Sequence, residues 1–172
     1  MKFATVSTLR ASSQPALVMD DHVYTLPYPD MQAVIAAGAE KAASRASKEA
    51  LSFDEVTFRS PIHPATLRDA YAFETHVKTA NRNRGQDVPE NWYKFPVFYF
   101  SNPNNNYGHE DVIPYPSYTD ALDFELEIAA VIGKPGRDGL VLGSMYSFVV
   151  VNTNTCSLSA CHRQTSGTPI SA

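Results

Sequence analysis

The sequence predicts an α+β protein that is mainly β, and three observations predict it. The run LDFELEI at residues 122–128 alternates apolar and acidic residues with the period of a strand. Two short apolar runs, residues 2–8 and 15–24, flank a polar turn near the amino end. Helical character is confined to a stretch after Asp30 and another at about residues 66–80. With 172 residues, 44% of them hydrophobic, the chain is long enough to bury a core of its own.

The net charge of −4 and a pI near 5.7 argue against a nucleic-acid-binding face. Lys and Arg are scattered except for a mild cluster at residues 78–84, which reads as a solvated helix end. Cys156 and Cys161 do not form a CxxC pair, and His162 alone does not complete a zinc site. The amino end is broken by Arg10, Ser12, Ser13 and Gln14 and so lacks a secretory core, and no segment has the apolar length of a membrane span. A cytoplasmic protein without membrane or nucleic-acid partners is therefore expected.

After the first strands, Asp30 is placed to cap a helix whose apolar face carries Met31, Val34 and Ile35, with Gly38 weakening or interrupting it. The connector FRSPIHPAT holds two prolines that discourage regular structure, so a boundary is placed there. This gives a small leading domain at residues 1–57 and a main body at 58–138. In the main body, Thr66 and Asp69 form a Thr-x-x-Asp capping pattern for a helix at about 66–80, with Ala70, Tyr71, Phe73 and Val77 available for packing. WYKFPVFYFS reads as a buried strand and the Asn- and Pro-rich run after it as a loop. Residues 139–172 hold one Arg or Lys, Arg163, and no Asp or Glu; residues 140–151 read as an apolar strand and the Ser/Thr-rich remainder as poorly ordered tail.

Two groups of residues bear on chemistry. On the predicted strand, Asp123, Glu125 and Glu127 point one way and Leu122, Phe124, Leu126 and Ile128 the other. Same-face neighbours lie about 6.6–6.8 Å apart, near enough for two carboxylates to converge on one ion. The acids either face water or, entering a core with the apolar AAVIG that follows, require a counter-ion; oxygen donors without Cys or His suit Mg²⁺, Ca²⁺ or Mn²⁺. On the predicted helix, Asp69 and His76 are seven apart and would share a face, about 10 Å apart along the axis. Asp69 either holds a cation or satisfies the helix amino end, and His76 is either a base, a duty to which free histidine is suited, or a surface or packed residue.

Taken in order, RSPIHPATLRDAYAFETHVKTANRNRG, WYKFPVFYFSNPN and YPSYTDALDFELEIAAVIGKPGRD resemble the catalytic domain of the fumarylacetoacetate hydrolase family. The resemblance covers residues 58–138 well and residues 2–38 loosely, as the family's small leading domain. It implies an incomplete mixed β-sandwich roll. It implies metal ligation by Asp69, Glu125 and Glu127, with Mg²⁺ or Ca²⁺ as the usual ion, and His76 as the catalytic residue that activates water. Tyr71 and Tyr99 fall on substrate-contacting tyrosines, and one of Arg82 and Arg84 on a substrate-binding arginine. Asp123 has no assigned role, and His109 falls in a variable loop and reads as surface. The implied reaction is hydrolysis of a carbon–carbon bond beside a carbonyl in a small-molecule diketo acid. Relatives decarboxylate or isomerise related keto acids, and intact relatives are usually homodimers.

Beyond GKPGRD the resemblance implies an NDxSARD-like segment with a further aspartate ligand, then a lysine and a glutamate, and none of these occurs. The expectation is a truncated product or misread gene model that diverges at about residue 139. Its function is then either that of the family's enzymes or that of an inactive remnant that binds a cation or pairs with an intact relative.

Overall fold

The computed structural model describes residues 1–115, 117–118, 124–133 and 146–156. The protein is mainly β with short helices, in the order β1 (Lys2–Ser7), β2 (Gln14–Met19), β3 (His22–Thr25), α1 (Met31–Ala37), α2 (Ala39–Ala43), β4 (Leu51–Ser52), β5 (Thr57–Arg59), β6 (Leu67–Ala70), α3 (Glu74–Asn83), β7 (Phe98–Ser101), β8 (Phe124–Ile132) and β9 (Tyr146–Cys156). Single 3-10 turns occur at Phe53–Glu55 and Glu90–Tyr93. The chain forms two compact units, residues 1–62 with 107–172, and residues 63–106.

The first unit is built on a five-stranded sheet in the order β4-β3-β2-β1-β5, with every neighbouring pair antiparallel. The expected strand at residues 15–24 is instead a hairpin. Two adjacent acids, Asp20 and Asp21, lie between Met19 and its partner His22, and Asp20 takes a left-handed φ of 50° that Asp tolerates better than most residues. Register separates two apolar faces. Phe3, Leu17 and Tyr24 are aligned across β1, β2 and β3 and pack with Leu26, Met31, Val34, Ile35 and Ala42. Val6, Ala16 and Val23 lie on the opposite face beneath Leu51, Val56 and Phe58.

Helix α1 forms as the spacing predicts. The Asp30 side chain accepts from the Ala33 N–H at 2.8 Å, and Met31, Val34 and Ile35 are the buried residues. Gly38 ends it at φ 88°, its N–H reaching the carbonyls of Val34 and Ile35, and α2 begins one residue later.

Strand β8 pairs antiparallel with β9, with Glu125 opposite Thr155 and Glu127 opposite Thr153. The expected interior position of AAVIG holds only in part. Val131 packs on the α1 cluster, but Ala130 is exposed and Ile132 is 55% exposed. Bulges after Glu127 and Val131 break the register and with it the simple two-face alternation. Part of the tail expected to be poorly ordered is strand β9; residues 134–145 and 157–172, with Cys161, His162 and Arg163, lie outside the described residues, as does Asp123.

The second unit holds β6, α3 and β7. The expected helix at 66–80 is here a strand, a link and a helix: β6 pairs antiparallel with β7, and α3 begins only at Glu74. The sequence LRDAYAF alternates Leu67, Asp69 and Tyr71, half-buried, with exposed Arg68, Ala70 and Ala72. That period of two, with a cross-strand partner to satisfy its backbone, prevails over the local capping pattern at Thr66. WYKFPVFYFS likewise divides into a 3-10 turn and β7, separated by Pro96, and Phe98, Tyr99 and Phe100 are exposed rather than buried. Among the described residues no helix is long and apolar enough to cross a membrane.

Candidate functional site

The β6–β7 ribbon sets the geometry of the second unit. Asp69 is the register partner of Tyr99, which places both residues on one face. The ladder runs one step past β6, since the Tyr71 N–H donates to the Val97 carbonyl at 3.0 Å, and Tyr71 continues the alternation of Asp69. The Tyr71 carbonyl accepts the indole N–H of Trp92 at 2.8 Å. Both main-chain groups of Tyr71 are therefore held, one by a strand and one by a side chain.

From that anchored residue the chain enters α3, whose first hydrogen bond runs from the Val77 N–H to the Phe73 carbonyl at 3.0 Å. Val77 and Asn81 are its buried residues, one turn apart, and the Asn81 amide donates to the Val77 carbonyl at 2.9 Å. This orientation leaves His76 exposed with its ring edge-to-face against Tyr71, centroids 5.5 Å apart and planes at 88°. Asp69 and His76 thus do not share a helix: Asp69 is on β6, His76 is on α3, and Tyr71 stands between them in sequence and touches the histidine.

On the solvent side, the Glu74 carboxylate is bridged to Lys78 at 2.9 Å and accepts the Tyr93 hydroxyl at 2.9 Å. The Lys78 hydrogen bond, then that of Tyr93, holds Glu74 below the usual carboxylate range; the Glu74 partner pushes both Lys78 and Tyr93 up. Arg82 lines an open groove of about 540 Å³ with Lys78, Gln86, Asp87, Val88 and Tyr93. Arg84 is the C-cap of α3 and exposed. Arg68 stacks its guanidinium 3.9 Å from the centre of the Phe100 ring. In the first unit, His109 is on the surface, its side chain 71% exposed, near the Phe58 ring.

The expected site residues therefore divide between the two units. Asp69, Tyr71, His76 and Tyr99 are on the β6–β7–α3 unit, with Arg82 and Arg84 at the end of its helix. Glu125 and Glu127 are on β8, two residues apart in unbroken register; Glu127 is half-buried, and the Glu125 side chain lies outside the described residues. Among the described residues no group of three or more His, Cys, Asp or Glu side chains gathers in one place. Trp92 is the residue of this unit that the sequence reading passed over. A lone Trp beside a strand signals packing; its partner is a main-chain carbonyl, 21 residues away, that no pattern announces.

The family model for the fumarylacetoacetate hydrolase C-terminal domain matches residues 65–152, just over half of the chain. The chain belongs to the fumarylacetoacetate hydrolase family. The match begins two residues before β6 and includes α3, β7, β8 and β9 as far as residue 152. It thus extends beyond residue 139, where the sequence resemblance stopped, and β9 supplies β8 with a partner strand there. No curated protein matches the chain. The family is one of hydrolase- and isomerase-type enzymes, and its members commonly bind divalent metals.

The three expected ligands are all carboxylates. Asp69, Glu125 and Glu127 are hard oxygen donors that suit a hard divalent cation and would be a poor set for zinc or copper.

Proposed function

We propose that this fumarylacetoacetate hydrolase family chain carries a cation-dependent site for cleaving a carbon–carbon bond beside a carbonyl of a small diketo acid, of the acylpyruvate or fumarylacetoacetate kind. The observation that supports the reading is the packing of His76 on Tyr71 in the unit where Asp69 faces Tyr99. An exposed imidazole is accessible to a water molecule, as a general base requires.

In this reading His76 takes a proton from water as the oxygen attacks the substrate carbonyl. The hydroxyls of Tyr71 and Tyr99 orient the substrate's oxygens, and Arg82 or Arg84 pairs with its carboxylate. A divalent cation, Mg²⁺, Ca²⁺ or Mn²⁺, held by Asp69, Glu125 and Glu127 would supply polarisation of the carbonyl and stabilise the negative charge of the departing fragment.

A second reading rests on the absence of Asp, Glu and Lys from residues 139–172. In it the chain binds a cation or pairs with an intact relative without turning over substrate. Turnover of acylpyruvates, fumarylacetoacetate and oxaloacetate, measured with and without Mg²⁺, separates the two. Metal-dependent turnover that disappears in Glu125→Ala and His76→Ala supports the enzyme. Absence of turnover on all three, with a melting temperature that still rises on adding Mg²⁺, supports the second reading.

A further inference from the structure

We infer that Trp92 is a positioning residue for His76, acting through Tyr71. The segment between β6 and α3 is only three residues long, and it carries the ring against which His76 packs. Within this link Tyr71 is fixed twice, its N–H by the Val97 carbonyl and its carbonyl by the Trp92 indole. The first bond merely extends a ladder. The second is a side-chain bond from the 3-10 turn at Glu90–Tyr93, and it sets the plane of the peptide after Tyr71, hence the direction in which the chain leaves for α3.

A half-buried carbonyl that loses its donor turns toward water. If the Tyr71 carbonyl turned, the peptide leading to Ala72 would rotate and the tyrosine ring would leave the edge of the imidazole. His76 is exposed, and among the described residues the Tyr71 ring is the group that packs against it and restricts its rotamers. Trp92 therefore limits the orientations from which the histidine addresses a water molecule without itself meeting the substrate. The inference rests on the reading of His76 as the base, but its geometric part stands on the Trp92–Tyr71–His76 contacts.

The test uses the whole chain, with Trp92→Phe and with a Trp92 isostere whose indole N–H is replaced by sulfur, so that shape is kept while the donor is removed. The His76 Hε1 resonance is followed by NMR in the wild type, in both variants and in Tyr71→Ala. Both donor-free variants are expected to move that resonance most of the way to its Tyr71→Ala position, with the backbone amide pattern of the five-stranded sheet unchanged. In turnover, kcat is expected to fall about fivefold with KM nearly constant, the effect of one lost hydrogen bond felt at the base rather than in substrate binding. A His76 resonance that stays at its wild-type position in the folded isostere would overturn the inference. Should the wild type show no turnover, the enzyme reading fails while the resonance comparison still decides whether Trp92 positions the histidine.

Discussion

Asp69 and Tyr99 face each other as register partners across the β6–β7 ribbon, a carboxylate opposite a phenol on the same face. The pairing puts a carboxylate and a hydroxyl on one face without either depending on a loop. It follows that the two residues are separable by mutation, since strand pairing is carried by backbone hydrogen bonds that neither side chain supplies.

The first prediction uses that separation. Asp69→Asn keeps shape and β pairing but removes a charge from the proposed ligand set, and is expected to weaken Mg²⁺ or Ca²⁺ binding at least about tenfold, some 1.4 kcal/mol. Tyr99→Phe is expected to leave cation affinity unchanged and to raise KM. Isothermal titration of both variants with each ion checks this; equal losses of affinity in the two would show that Asp69 is not a ligand.

A second prediction concerns how the chain returns to the first unit. A Cβ on Gly108 would lie 2.7 Å from the Phe58 carbonyl oxygen and 2.9 Å from the Arg59 Cα, both backbone atoms that have little room to yield. The Gly108 N–H meanwhile donates to the Asp111 carboxylate at 2.6 Å, fixing the turn. Gly108→Ala is therefore expected to cost about 1–3 kcal/mol through displacement of β5 or of the loop. Urea unfolding checks it, and a loss under about 0.5 kcal/mol, the range of an ordinary surface substitution, would show that the loop is not seated on β5.

How much of this was legible beforehand depended on whether the signal was local. The Asp30 cap, the Met31, Val34 and Ile35 face and the Gly38 stop are each read within one helical turn, and all three occur. Strand β8 was legible because LDFELEI carries its own period. The helix expected at 66–80 went wrong because Thr66 and Asp69 satisfy a local rule while the strand they occupy is stabilised by β7, some thirty residues away. The period of two in Leu67, Asp69, Tyr71 and Phe73 was the available warning. The hydrogen bond from Trp92 to Tyr71 had no such warning, because a main-chain acceptor leaves no trace in residue identity. The association of Asp69 with His76 came from spacing on one continuous helix, whereas Asp69 is on β6 and His76 is on α3, packed against Tyr71.

The third prediction concerns Tyr28, which packs beside the α1 cluster with its hydroxyl buried and without a hydrogen-bond partner among the described residues. A buried hydroxyl that donates to nothing costs its desolvation. Tyr28→Phe is expected to be neutral or to stabilise the protein by up to about 1 kcal/mol. Thermal melting checks this, and a loss of more than 1 kcal/mol would reveal a partner for the hydroxyl in solution.

The last prediction is a pH dependence centred on Glu74. Its carboxyl is held below its ordinary 4.5, chiefly by the Lys78 hydrogen bond and then by Tyr93. A lowered acid stabilises the fold above its unfolded pKa and loses that contribution as pH falls through the lowered value. Lys78 is raised above its ordinary 10.5 and Tyr93 above 10.0, each chiefly by its hydrogen bond to Glu74. Their contributions are complete below those values and are lost as pH rises through the raised ones. The cluster should therefore be constant between about pH 5 and pH 9 and dissolve at both extremes. All three groups are in water, so the effect is read as a titration rather than as stability. The Glu74 carboxyl followed by NMR should titrate below a model peptide, and Lys78→Met should bring it back further than Tyr93→Phe, because the lysine supplies both a hydrogen bond and a charge. An unchanged Glu74 titration in Lys78→Met would mean that the bridge at the start of α3 does not persist in solution.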